Sequence, residues 1–217
     1  AMYYAGFALL PLSLLLGKRS CFRAWRREGL LISLAGIVLV FSLLYGKVAG
    51  HFDNFTHWAL IVKHLLSAHT LPTAADAVIT YTNYPVGSAM WIYYVVSCIG
   101  VATEDMWLFA QGLYMVFCLQ TLFVVSDAAA GRVRHFIAVL FVLLYANCML
   151  SYNISIYNLL VDTMLPLHAV ALTVFVGYEC CQMEENRLVI HRGLRLNLWG
   201  LIPMLCMTTQ IKSSGAV

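Results

Sequence analysis

Two stretches, Leu30–Tyr45 (LLISLAGIVLVFSLLY) and Phe136–Leu150 (FIAVLFVLLYANCML), are apolar almost without interruption. Strands of a membrane barrel alternate apolar and polar positions over about ten residues, so unbroken runs of this kind read as helices. A helix needs about 20 apolar residues to cross the hydrocarbon core of a bilayer. Further out, residues 86–101, 106–125, 164–181 and 196–211 form similar runs, and polar clusters separate them. The 217-residue chain is 62% hydrophobic and 11% charged, with a mean hydropathy of +0.82. Soluble domains carry about 25% charged residues, and a water-soluble core could not absorb so much apolar sequence. The expected fold class is therefore an all-α polytopic membrane protein. A net charge of +3 is too small to argue for nucleic acid, and no such partner is expected.

The cysteines Cys21, Cys98, Cys118, Cys148, Cys180, Cys181 and Cys206 lack metal-type spacing and mostly sit in or beside apolar runs. They read as small apolar helix residues. The chain opens on Ala1 inside an apolar run and stops at Val217 soon after Ser213-Ser214-Gly215, which reads as a fragment of a longer protein.

The arginines set the topology. They fall into three clusters: Arg19, Arg23, Arg26 and Arg27; Arg132 and Arg134; Arg187, Arg192 and Arg195. Positive residues mark cytoplasmic loops, so the three clusters share one side and an even number of crossings separates them. Three apolar runs lie between Arg27 and Arg132, so one of them does not span. Residues 86–101 are the exception, because the run is short, opens on Tyr84-Pro85-Val86-Gly87-Ser88 and carries the interfacial aromatics Trp91, Tyr93 and Tyr94.

This gives about six transmembrane segments, at residues 1–16, 30–48, 106–125, 136–150, 164–181 and 196–212. Residues 17–29, 126–135 and 182–195 form cytoplasmic loops, and residues 151–163 a short external one. The large external loop, residues 50–105, contains two amphipathic, membrane-parallel helices at 54–69 and 86–101. In the first, Phe55, Trp58, Ala59, Val62, Leu65 and Leu66 recur near helical spacing, and Leu71-Pro72 stops it. Asp53 stands just before that helix, and His57 follows one turn later on the same face.

The pattern Asp53-Asn54-x-x-His57-Trp58-x-x-x-x-Lys63, then Leu71-Pro72, then Tyr84-Pro85-x-Gly87, resembles the first external loop of GT-C-type membrane glycosyltransferases. The closest branch is the bacterial one related to protein mannosyltransferases and lipid A aminoarabinose transferases. The resemblance covers about a quarter of the chain. It implies a multi-pass enzyme of the bacterial plasma membrane that moves a sugar from a polyprenyl-phosphate-linked donor to a glycan, lipid or protein acceptor on the non-cytoplasmic face, in cell-envelope glycan synthesis. It also implies Asp53 as catalytic base and helices lying along the membrane surface. Asn54 stands where the family often has a second acidic residue, and Val86 where it often has proline, so a metal-assisted variant is not supported and no cofactor is expected.

Such a transfer needs a base for the acceptor hydroxyl and positive charge for the departing phosphate. Lys63 and Lys212 are the expected phosphate contacts, with His57, Tyr84 and Asp162 as further substrate-binding candidates. Plainer roles stand beside these. Asp53 is either a base or an N-cap, Lys63 and Lys212 either hold phosphate or snorkel, and Asp162 either joins the site or caps its helix. Glu104 and Asp105 read as caps of the following helix, and Glu184-Glu185 as solvated. His51, His57, His64 and His69 lack the tight pairing of a zinc site, so no metal residues are expected. Asn54-Phe55-Thr56 and Asn153-Ile154-Ser155 match the glycosylation acceptor pattern. A transporter or permease, or a non-catalytic subunit of a polysaccharide assembly system, would share the topology. Transporters show repeated halves and midplane charges, whereas charges here gather at the ends of the apolar runs. If residues 86–101 lie on the outer surface, single cysteines at Ser88 and Glu104 both label from outside. Labelling of Glu104 only from inside would invert every later loop.

Overall fold

In the computed structural model, residues 27–76, 78–79, 84–128, 131–151, 156–185 and 190–211 are described. Among them the regular structure is helical: α1 (Arg27–Leu44), a π-helical turn (Asn54–Trp58) running into α2 (Ala59–Ala68), α3 (Gly87–Ile99), α4 (Glu104–Ala128), α5 (Gly131–Leu150), α6 (Val161–Glu185) and α7 (Ile190–Ile211). The expected first span at residues 1–16, and Lys212, lie outside the described residues.

Among the described residues, three helical stretches are long and apolar enough to cross a membrane: Glu104–Phe123, Gly131–Leu150 and Val161–Tyr178. The apolar portions Leu31–Leu44, Gly87–Ile99 and Leu201–Ile211 are shorter. At a rise of ~1.5 Å per residue, the 13 residues of α3 reach about 20 Å, less than the ~30 Å of a bilayer core. Local signals explain the stops. The left-handed Gly100 (φ 80°) ends α3, with its N–H on the Val96 carbonyl at 2.8 Å. His69 takes the same conformation (φ 56°) after α2, and its Nδ1 lies 2.8 Å from the Tyr93 hydroxyl of α3. Helix α6 runs through Pro166, whose ring nitrogen cannot donate to the Asp162 carbonyl.

Helix α4 is the centre. About two-thirds (67%) of its spanning stretch is buried, against 11% for α5. Leu108, Met115, Leu119 and Leu122 are fully enclosed, and α4 packs against α1, α3, α5 and α6. Helix α5 instead turns Val133, Phe136, Val139, Val142 and Leu143 outward. Lipid tails are as apolar as those side chains, so nothing drives them into the bundle. Helix association in lipid rests on close approach, and small residues permit it. At Gly112 of α4 a Cβ would come 2.6 Å from Val40 of α1. At Gly87, which opens α3, it would come 2.5 Å from the Gln210 carbonyl oxygen of α7. The Gly87 of the Tyr-Pro-x-Gly pattern thus marks a backbone crossing.

The α1–α2 connection, the start of α4, the α5–α6 connection and the last turn of α7 meet at one end of the bundle. The contacts that bring them there are Gly46 to Asp105, Ala49 to Glu104, Asn54 to Leu159 and Gly87 to Gln210. Ser88 is buried there at 4% exposure, so Val101, 46% exposed, replaces it as the labelling position for that segment.

Gly87→Ala should destabilise the protein by about 1–3 kcal/mol through overpacking. Gly177→Ala, inside α6 where nothing lies within 4 Å of the added Cβ, should not destabilise and should gain up to about 1 kcal/mol. Thermal unfolding in detergent compares the two, and equal effects would contradict the α3–α7 crossing.

Candidate functional site

The candidate base sits where the chain leaves α1 and begins to coil again. Its backbone is already helical at Phe52 and Asp53, ahead of the π-helical turn. Asp53 has right-handed helical angles (φ −64°, ψ −20°) and makes no side-chain cap hydrogen bond. The expected capping role falls instead to His51, whose Nδ1 accepts the Asp53 N–H at 3.2 Å. That bond needs an unprotonated Nδ1, with the ring proton on Nε2. The same Nδ1 lies 3.6 Å from Asp53 Oδ2, a contact that becomes an ion pair only when His51 is protonated. The two uses exclude each other, and the hydrogen bond is the one with proper geometry for neutral imidazole. Sequence reasoning missed this cap because histidine is not among the usual N-cap residues.

His57 and Tyr84 come together. Their rings meet edge to face with centroids 5.6 Å apart, and Trp58 packs against both at 4.6 and 5.8 Å. His57 Nδ1 is 2.8 Å from the Thr56 hydroxyl, which donates to the Asp53 carbonyl at 3.3 Å. A hydroxyl has one proton, so with that donation in place His57 Nδ1–H is the donor to Thr56. Burial pushes the His57 pKa below the ordinary histidine value, and the nearby Asp53 carboxylate opposes the shift without cancelling it.

Lys63 is not part of this group. It lies six positions beyond His57, about 9 Å along the helix, and lines two other clefts. The larger, about 610 Å³, runs between α2, residues 46–48 and the start of α4, and also includes Lys47, Ser67, Thr103 and Trp107. The smaller, about 320 Å³, adds His64, Asp76 and Ile79. Neither is lined by Asp53, His57 or Tyr84. Asp76 closes the smaller cleft, accepting the Thr73 N–H at 2.6 Å and lying 4.0 Å from His64 Nδ1. The Thr73 N–H, more than the Thr73 hydroxyl or His64, holds the Asp76 carboxyl below its usual pKa.

Glu104 and Asp105, in the first turn of α4, reach across to the α1–α2 linker. Glu104 Oε2 accepts the Ala49 N–H at 3.1 Å and Asp105 Oδ2 the Gly46 N–H at 3.0 Å, tying down the linker that leads to Asp53. Asp162 is exposed in the first turn of α6, at the same end.

Below the rim lies a feature that reading the sequence did not find. Asn54 Oδ1 accepts the Leu159 N–H at 3.3 Å, and Gln111 Nε2 donates to the Asn158 carbonyl at 2.6 Å. These are the two polar groups of one peptide unit, which point in opposite directions when it is trans. Two side-chain amides therefore grip one peptide from both sides, and both residues are fully buried. The other halves, Asn54 Nδ2 and Gln111 Oε1, have no hydrogen-bond partner among the described residues, at a cost of about 1–3 kcal/mol each. Full burial also removes Asn54 as a glycosylation acceptor in the folded protein; Asn153 lies outside the described residues. The available signal was Gln111 itself, a polar residue inside an apolar run.

A second buried group joins α4, α6 and α7. His168 Nε2 donates to the Met204 carbonyl at 2.8 Å, so its Nδ1 accepts from the Tyr114 hydroxyl at 2.7 Å. Both ring nitrogens are occupied, and the histidine serves as interhelical glue.

Comparison with protein-family models, curated proteins and solved structures finds no match to this chain.

The His57 shift has a definite sign. Its folded pKa lies below the unfolded value of 6.5, so as pH falls through that value the unfolded chain takes up a proton that the folded one resists. Stability must then fall with pH. Between about pH 7 and pH 5, the parent Tm should drop more steeply than that of His57→Gln. The other histidines are common to both proteins, so parallel curves would contradict the buried placement.

Proposed function

We propose that this protein is a membrane-embedded glycosyltransferase that moves a sugar from a polyprenyl-phosphate-linked donor to an acceptor hydroxyl at the end of the bundle where Asp53 lies. The observation that carries the reading is the state of Asp53. An aspartate at a helix start ordinarily caps it, yet here His51 takes that role and the Asp53 side chain stays 42% exposed, with no cap bond. A carboxylate satisfied by backbone donors would be a poorer base; this one is open to an acceptor.

In the proposed reaction Asp53 takes the proton of the acceptor hydroxyl as its oxygen attacks the anomeric carbon. The bond from that carbon to the phosphate oxygen breaks, and the electron pair leaves with the polyprenyl phosphate. Positive charge is needed where the phosphate departs. Lys63 supports that role from the cleft it shares with Lys47, and we assign Lys212 to the same role. His57 and Tyr84, packed edge to face beside Asp53, and Asp162 are the proposed contacts to the sugar and acceptor. The apolar surface of α5 and the three helices able to cross a bilayer fit an enzyme whose donor is itself a membrane lipid. The acceptor class, whether glycan, lipid or protein, follows the resemblance of the external loop.

Asp53→Asn in the full-length protein should lower the transfer rate by on the order of 10²-fold or more with Tm unchanged. Full activity in that variant would overturn the assignment of the base. Lys63→Met and Lys212→Met should each weaken binding of the donor lipid in a vesicle assay, and unchanged affinity would remove that residue from the phosphate site.

A further inference from the structure

Asn54 is fully buried, while its neighbour Asp53 remains 42% exposed at the side chain. Successive residues of a helix point ~100° apart, so the direction in which Asn54 is held decides the direction in which Asp53 faces. Asn54 is held by the Leu159 N–H, 105 residues away in sequence, and the carbonyl of that same peptide unit is held by Gln111 of α4. That peptide lies just before α6, whose first turn contains Asp162. The two amides satisfy the Leu159 N–H and the Asn158 carbonyl, which an apolar pair would leave unpaired, while their own other halves have no partner among the described residues. What the amides supply is direction, because each bond needs its N–H to point at the acceptor.

We infer that Asn54 is a positioning residue whose buried amide, with Gln111 on the far side of the Asn158–Leu159 peptide, orients Asp53 against the start of α6. The inference rests on the reading of Asp53 as the base, but its geometric content does not. Loss of the amide leaves Asp53 chemically intact and frees the turn that carries it. No other side chain bonds Leu159 N–H among the contacts described, so the effect of Asn54 is expressed through that peptide.

The test is a distance measurement between spin labels at Phe52, which is 73% exposed, and Asp162 in the full-length protein in lipid nanodiscs. The parent should give one narrow distance. Asn54→Leu, close in volume but without the acceptor, should lose it. Asn54→Asp, which keeps an oxygen for Leu159 N–H, should retain it. Gln111→Leu reaches the same peptide from α4 and decides the matter if Asn54→Leu does not fold. A narrow distance that survives in the leucine variants, with only Tm lowered, would overturn the proposal and leave Asn54 a stabilising residue. In unlabelled protein, Asn54→Leu should reduce kcat by on the order of 10²-fold with KM for the donor unchanged. If the distance is lost as expected but Asp53→Asn is fully active, the positioning holds and the reading of Asp53 as base is what fails.

Discussion

One peptide unit, between Asn158 and Leu159, ties the candidate functional end of this bundle together. Its N–H is taken by Asn54 and its carbonyl by Gln111, so three segments far apart in sequence share a single rigid plane. A trans peptide cannot rotate to relieve either bond without breaking the other. The turn carrying Asp53, the centre of α4 and the approach to α6 are therefore locked in mutual register. In a low-dielectric interior such bonds are strong and their loss is expensive, and full burial of both amides places them there.

The rest of the architecture follows from α4. In lipid, apolar side chains gain little by leaving the bilayer for a protein interior, so the bundle is held by close approaches and interhelical hydrogen bonds. Helix α4 supplies both: Gly112 lets α1 in, Gln111 reaches the α5–α6 connection, and Tyr114 meets His168, which in turn bonds the Met204 carbonyl of α7. Its first turn adds Glu104 and Asp105, which anchor the backbone between α1 and the candidate site. Helix α5, joined to the bundle chiefly along α4, keeps its apolar face outward, where lipid tails suit Val133, Phe136, Val139, Val142 and Leu143 as well as a protein interior would.

The candidate site is built from this frame as two neighbouring regions. One is the Asp53 turn with His51, His57, Trp58 and Tyr84; the other is the cleft containing Lys47 and Lys63. The proposed transfer calls for a base and a cation on separate sides of the sugar. His51 makes the arrangement possible by capping the helical turn in place of Asp53.

The sequence by itself determined the helical class, the apolar stretches, and the helix that follows Asp53, because these depend on composition and local periodicity. It also contained a stop signal, since a glycine such as Gly100 can enter the left-handed region without a Cβ penalty. Six spans were expected from apolar runs, the first of them outside the described residues; among the described residues three helices meet the length and composition of a span. Which residue caps the Asp53 turn, that Asn54 points inward, that Lys63 faces a different cleft from His57, and that Gly87 meets Gln210 were decided only by the tertiary structure. For the cap the reason is local, since His51 stands two residues before Asp53 and is outside the usual N-cap set; for the other three it lies far along the chain. A side chain's role at such a site depends on a partner tens of residues away, and periodicity reports only on neighbours within a few turns.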